Sequence, residues 1–350
     1  MDDATFKSAP QLLRGAIVGL GRMGLTHLAI LRGHPLVASL AVVETSACFA
    51  KAVEKNLEIP CYRNIDDLLG SASPDFLIVA TPTQTHYTIA MLALERGIHT
   101  FIEKPLSMSA AESAALVQAA KAQGVVAQVG YVNRFNEIFA AVRSLLRSGE
   151  LGRPTHISCE IRSPMVVRNS AHGWRSRKGD GGGCLGDIAS HGIDLLNFLA
   201  GPPLGVLGAS LQSLVSEDVE DRVDALLAYK DLTATLHVNW NDPSCRKPAY
   251  RLNIETQKGR IVADQHAYKV FRTSVTANGH AGDWSTVYIT DIAAPVRMYV
   301  RGNEFTRQLD SFIDSIVRRH TNTVSDLASA AEVDKVIEQI RTTEERTRLQ

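Results

Sequence analysis

The sequence predicts an α/β protein with an N-terminal Rossmann domain, a doubly wound parallel sheet, followed by an α+β domain whose open sheet is largely antiparallel. Three observations carry this prediction. From Arg14 to Val129, short apolar runs alternate with helical patterns of about a dozen residues, the order that yields parallel strands with helices on both faces. The first run ends in Gly19-Leu20-Gly21-Arg22-Met23-Gly24. Beyond Pro203 most segments read as strands separated by turn residues at short intervals, as in antiparallel meanders. A chain of 350 residues suits two domains, and the change of pattern divides it into 1–130, binding dinucleotide, and 131–350, binding substrate.

Arg14 to Val18 is a short apolar strand, and a helical pattern runs from the glycine turn through Leu31. Gly19 permits the tight turn, Gly21 lets backbone approach a pyrophosphate, and Gly24 lets helix and strand pack closely. The anion rests on the free amides of this stretch, Gly19 to Gly24 with Leu20, Arg22 and Met23 between the glycines. Taken alone, a glycine turn that serves only packing looks the same. Here the next strand, Leu36 to Val43, ends at Glu44, 20 residues after Gly24, where a carboxylate holds a ribose hydroxyl. Glu44 would repel a 2′-phosphate and no arginine follows in Thr45-Ser46-Ala47, so the expected cofactor is NAD rather than NADP.

Thr45 to Lys55 reads as a helix, Ile65 to Leu69 as a short helix, and Phe76 to Ala80 as a strand ending in Thr81-Pro82-Thr83-Gln84-Thr85-His86. Thr83 is a plausible cap for a helix to Arg96. The strand Ile98 to Ile102 stops at Glu103-Lys104-Pro105, a helix from Ser109 to Gln123 follows with Glu112 at the capping-box position, and Val125 to Val129 is the last strand of the series. Right-handed crossovers place Gly19, Glu44, Thr81 and Lys104 on one sheet edge, where open α/β sheets bind ligands. An isolated Glu-Lys-Pro is as readily an ordinary charged strand boundary. Proline holds Lys104 extended, and a cis Lys104-Pro105 bond is expected, aiming the ammonium into the cleft.

In the second half, Phe135 to Leu146 reads as a helix and Thr155 to Arg162 as a strand. The strands after Pro203 are Leu204 to Val215, Arg222 to Tyr229, Thr233 to Trp240, Tyr250 to Glu255, Arg260 to Val262, Ala267 to Phe271 and Thr286 to Ile289, with turns at Lys230-Asp231, Lys258-Gly259 and Asn278-Gly279. Helices Glu304 to Arg318 and Asp326 to Arg346 close the chain. Between strand and meander, a glycine run leads into Asp187, His191 and Asp194, spaced i, i+4 and i+7 on one helical face. A capping aspartate beside an unrelated histidine fits that spacing equally. As chemistry, it suits hydride transfer: His191 takes a hydroxyl proton, Asp187 orients the imidazole and raises its basicity, and Lys104 faces the developing alkoxide. Nicotinamide takes the hydride, so no metal is required.

Composition narrows the partners. Thirty-seven basic residues balance 37 acidic ones, which argues against nucleic acid or an anionic membrane surface. No apolar run reaches transmembrane length, and Met1-Asp2-Asp3-Ala4 is acidic where a secretory signal is basic. The five cysteines are scattered, with no metal-ligand spacing. A cytoplasmic protein with free thiols is expected.

Gly19 to Gly24, Thr81-Pro82 with His86, Glu103-Lys104-Pro105, Gly130-Tyr131 with Arg134-Phe135, Trp174-Arg175 and Asp187-x3-His191-x2-Asp194 together resemble the Gfo/Idh/MocA family (glucose-fructose oxidoreductase, inositol 2-dehydrogenase, rhizopine catabolism). The resemblance spans residue 13 to the C-terminus. It implies that Lys104, Asp187 and His191 are the catalytic Lys, Asp and His, that Glu103, Thr81, Pro82 and His86 lie with the cofactor, that the open sheet mediates contacts in a homodimer or homotetramer, and that the last helix packs near the first domain. The implied activity is an NAD(H)-dependent dehydrogenase acting on a CH–OH group of a polyol, sugar or sugar derivative. A redox-neutral glycosidase or isomerase with tightly bound NAD is the alternative, and a nucleotide-sensing regulator without catalysis is a further one. Substrate contacts are expected from Lys104, Asn133, Trp174, Arg175, Asp187 and His191, with Arg134 facing the same cleft. An indole beside polar donors suits a sugar. In the loop Ser163 to Asp180, which also holds Arg168 and His172, only Arg177 and Lys178 hint at an anionic substrate, and Cys184 reads as packing.

Overall fold

The computed structural model describes residues 12–165, 173–276, 279–321 and 323–348. Six strands, β1 (Leu13–Val18), β2 (Val37–Val43), β3 (Cys61–Tyr62), β4 (Phe76–Val79), β5 (His99–Ile102) and β6 (Ala127–Val129), form a sheet in the order β3-β2-β1-β4-β5-β6. Every pairing in it is parallel. The helices between them are α1 (Arg22–Arg32), α2 (Ala47–Leu57), α3 (Ile65–Ser71), α4 (His86–Glu95) and α5 (Ala110–Gln123). Strand β4 shows why these runs carry no polar alternation: Phe76 and Ile78 pack into one apolar layer, Leu77 and Val79 into the other, because a sheet covered on both faces buries both sides of the pleat. Strand β3 escapes sequence reading because two residues at a sheet edge have no periodicity. Ser109 caps α5, its hydroxyl accepting the Glu112 amide at 3.2 Å. The Glu112 carboxylate accepts from Met108 rather than from the cap residue.

After α6 (Glu137–Ser148), eight strands build the second sheet: β7 (Pro154–Arg162), β8 (Gly205–Gln212), β9 (Arg222–Ala228), β10 (Thr233–Asn239), β11 (Ala249–Thr256), β12 (Gly259–Ala263), β13 (Ala267–Thr276) and β14 (Gly279–Tyr288). Their order is β14-β13-β12-β11-β7-β10-β9-β8. All neighbours are antiparallel except β7 and β10. Here the pleat alternates: Ile157, Cys159 and Ile161 are buried under α7 (Ser190–Ala200), while His156, Ser158 and Glu160 face outward. Strand β8 stops at Gln212 and does not reach Val215, because the Asp221 carboxylate takes the amides of Leu214, Val215 and Ser216 and folds that segment into a loop. The Asn278-Gly279 turn lies partly outside the described residues.

Two last helices, α8 (Asn303–Arg318) and α9 (Leu327–Arg348), return to the first sheet. Leu309, Phe312 and Ile313 of α8 pack with Ile17, Phe76 and Phe101. Helix α9 lies against α5, where Ser113 donates to Asp334 at 2.5 Å, and Ser325 just ahead of it accepts the Val129 amide at 2.8 Å. Between α7 and the end of the first sheet sits a buried ion pair. Arg134 donates to Asp194 through Nε (2.9 and 3.1 Å) and Nη2 (2.7 Å), and through Nη1 to Val324 O and Ser329 Oγ. Both side chains are almost fully buried.

Removing one partner of such a pair strands the other charge, a cost of about 3–5 kcal/mol. Asp194→Asn and Arg134→Met are each expected to lower the unfolding free energy obtained from urea melts by an amount in that range. A loss below about 1 kcal/mol, the worth of an exposed pair, would contradict the structural weight given to this contact.

Candidate active site

The carboxyl ends of β1, β2, β4 and β5 open onto one cleft of about 610 Å³. Gly19 takes φ 88°, and a Cβ there would lie 2.9 Å from Ala80 O. A Cβ on Gly24 would lie 1.9 Å from Gly19 O, so only glycine lets α1 start so close to β1. Nothing lies within 4 Å of a Cβ built on Gly21, and Gly21, Arg22 and Met23 at the start of α1 line the opening. This cradle fits a dinucleotide pyrophosphate at a helix N-terminus. Glu44 stands at the end of β2, accepting from the amides of Leu20 (3.1 Å) and Ser46 (2.8 Å).

The cleft wall includes Gly19, Leu20, Gly21, Arg22, Met23, Glu44, Thr81, Pro82, Glu103 and Lys104. Gly24 sits behind it. His86 is not on this wall: it is buried, its ring between Thr81 O and Pro105 O, each at 2.9 Å. Burial pushes its imidazole pKa down, against the opposing pull of the two carbonyls.

Lys104 precedes a cis peptide bond to Pro105, as the sequence led us to expect. Its ammonium donates to Asp187 Oδ1 at 2.6 Å and to Asp187 O at 2.7 Å. From the other side Arg175 Nε donates to Asp187 Oδ2 at 2.7 Å, with its guanidinium 4.4 Å from the Trp174 ring centroid. The glycine run makes this approach possible. Gly181 (φ 83°) abuts the first sheet's loops, where a Cβ would lie 2.9 Å from Met108 Sδ. Burial alone would raise the Asp187 pKa, yet the two cations and their hydrogen bonds hold it below the usual carboxylate range.

The expected contact between Asp187 and His191 is not made. Residues Leu185–Ala189 form a π turn, and the α-helix begins at Ser190, so the rotation between Asp187 and His191 is not that of a continuous α-helix. Asp187 faces Lys104 and Arg175, and Asp194 faces Arg134. His191 Nδ1 is buried without a partner, and its ring meets Tyr131 edge-on at 6.1 Å. Its pKa is pushed down to about 3, by burial and then by Lys104, against a smaller opposing pull from Asp187. The ring is therefore neutral, and its basicity is lowered rather than raised.

Of the other sequence candidates, Trp174 and Arg175 line the cleft with Asp187. Asn133 is buried beside Tyr250, with Nδ2 unpartnered. It and His191 lie off the cleft wall. Arg134 is committed to Asp194 rather than facing the cleft. Arg177 pairs with Asp180 at 2.6 Å. Arg168 and His172 lie outside the described residues. Cys184 is buried. Sequence reading missed Arg63 and Asn64, which line the cleft near Glu44, because they follow the two-residue strand β3 and belong to no motif.

Residues 13–131 match the family described as oxidoreductase family, NAD-binding Rossmann fold, and residues 139–262 match the GFO/IDH/MocA C-terminal domain. The chain belongs to the Gfo/Idh/MocA oxidoreductase family. Among its relatives are scyllo-inositol 2-dehydrogenase (NAD(+)) of Bacillus subtilis, 28% identical over 62% of this chain and 63% of that protein, and a putative UDP-kanosamine synthase oxidoreductase subunit of Amycolatopsis mediterranei, 30% identical over 67% and 70%. The match thus spans less than two thirds of the B. subtilis protein. Levoglucosan dehydrogenase, solved in complex with NADH, shares the fold at a TM-score of 0.86 and 21% identity, over 96% of this chain and 98% of that one. This Gfo/Idh/MocA oxidoreductase carries an NAD-binding Rossmann domain and an α/β architecture common to the family. Among the described residues no helix is long and apolar enough to cross a membrane.

The depressed His191 pKa has a pH signature. An unfolded histidine takes up a proton near pH 6.5 that the folded site refuses until about 3. Its contribution to stability is full above 6.5 and declines as pH falls through that window. The His191 ring resonances are accordingly expected to show no titration between pH 5 and 8 in the free protein. An NMR midpoint near 6.5 would contradict the geometry.

Proposed function

We propose that this protein is an NAD(H)-dependent dehydrogenase that oxidises a secondary hydroxyl of a polyol, sugar or sugar derivative. The observation that carries the reading is the convergence of Lys104, Asp187 and Arg175 beside the glycine cleft. An ammonium has three donors, and Asp187 takes two from Lys104. The third is available to a substrate oxygen, and Trp174 next to Arg175 offers an apolar face for a ring.

Bound NAD supplies the hydride acceptor. The protein's own part is to hold the alcohol and move its proton. Lys104 stabilises the oxygen as negative charge develops, and neutral His191 accepts the hydroxyl proton. The free imidazole is a weak base because burial disfavours its charged form and, second, because the Lys104 charge acts on it. The Lys104 part of that effect is offset as the oxyanion forms against the same ammonium, so His191 regains part of its basicity when the reaction needs it. Asp187 serves as the counter-ion that lets Lys104 and Arg175 sit together, and Glu44 selects NAD over a cofactor carrying a 2′-phosphate. We place the division of labour at residue 130, with residues 1–130 for cofactor and 131–350 for substrate and assembly, in a cytoplasmic homodimer or homotetramer that uses the outward face of the second sheet.

A panel of inositols, aldoses, uronates and nucleotide sugars, followed by NADH absorbance, is expected to give turnover with NAD and little with NADP. Lys104→Ala and His191→Ala should each lose on the order of 10²- to 10⁴-fold in kcat while NAD binding persists. Full activity in His191→Ala would remove it as the base. Stoichiometric dinucleotide retained through purification, with turnover but no net cofactor reduction, would favour a glycosidase or isomerase instead.

Glu44→Ala is expected to narrow the preference for NAD, since the carboxylate that repels a 2′-phosphate is gone. An unchanged ratio of kcat/KM values for the two cofactors would show that discrimination lies elsewhere in the cleft.

A further inference from the structure

Helix α1 carries a side chain that the site described above does not use. His27 lies one turn after Gly24 and is fully buried. Its Nε2 is 2.7 Å from Glu103 Oε1, and its Nδ1 is buried with no partner. Only one neutral tautomer suits this. With the proton on Nε2 the ring donates to the carboxylate and leaves just a lone pair unfilled at Nδ1. The other tautomer would turn a lone pair toward the carboxylate and bury an unpaired N–H, the costlier defect.

Glu103 is itself largely buried and forms part of the cleft wall. Its second oxygen accepts the Lys104 amide at 3.3 Å. Backbone encloses the carboxylate, since a Cβ on Gly130 would come within 3.0 Å of Oε2. The His27 ring is fixed in turn by an edge contact with Phe101, centroids 5.2 Å apart. A contact needed only to fill space would be served by an apolar ring, without taking a carboxylate and an imidazole out of water. The arrangement instead ties the helix that begins at the glycine cradle to the turn that delivers the ammonium.

We propose that His27 is a positioning residue for the reaction. By holding Glu103 it fixes the turn from which Lys104 reaches the substrate. This role rests on the dehydrogenase reading. Small misplacement of a reacting group costs roughly 10- to 100-fold in rate, and His27→Phe, which keeps the ring volume and loses the donor, is expected to lower kcat by that factor with KM for NAD little changed. His27→Gln places an amide donor near the position of Nε2 and should recover most of the loss.

The measurement is kcat and KM of wild type and both variants with whichever alcohol of the panel is turned over, alongside long-range ¹H–¹⁵N spectra of the histidine rings. The spectra should show His27 of the wild type protonated on Nε2. Should His27→Phe fail to fold, the glutamine variant and the ring spectrum carry the test. A wild type inactive with every alcohol sinks both readings. An active wild type with undiminished kcat in His27→Phe, or a His27 ring protonated on Nδ1, sinks this assignment alone.

Discussion

Asp187 stands between two cations that reach it from different parts of the chain. Lys104 comes from the end of a parallel strand in the first sheet, and Arg175 from the loop ahead of the helix that covers the second. A carboxylate so deeply buried would ordinarily be costly. Here both of its oxygens and its own carbonyl are occupied by charged donors, so the contact is a joint between the two halves as well as a fixture of the site. The cis turn at Pro105, the glycine run and the π turn all converge on that one side chain.

The same cluster sets the electrostatics. Two cations and one anion leave a net positive charge on the cleft wall, where the proposed reaction would form an alkoxide. Burial first, and that charge second, hold His191 neutral in the free protein. An arrangement in which the aspartate served the histidine would make a stronger resting base and a weaker oxyanion site. Under the proposed dehydrogenase chemistry, the geometry favours the oxygen over the base.

Much of this was legible in the sequence, for physical reasons. The parallel sheet announced itself through apolar runs buried on both faces, and its strand ends through the polar residues that punctuate them: Gly19, Glu44, Thr81 and Lys104. The cradle could be read because Gly19 and Gly24 occupy positions where no Cβ fits. What could not be read was the rotation of side chains about the segment from Leu185 to Ala189. An i, i+4 spacing presumes α-helical geometry, and a π turn breaks that presumption without a mark in composition. Arg134, expected to face the cleft, and Asp194, expected to share a helical face with Asp187 and His191, are in space turned to one another. Arg63 and Asn64 follow a strand too short to show a pattern.

The return of α8 to the first sheet bears on the order in which this protein is made. Strands β1 to β6 have all been synthesised by Val129, yet Leu309, Phe312, Ile313 and Ile316 complete one of the two apolar layers of that sheet. At ribosomal rates the nucleotide-binding half waits roughly ten seconds or more for its cover. During that interval Ile17, Phe76 and Phe101 lack the helix that seals them. The half of the molecule that is translated first is thus among the last to be closed.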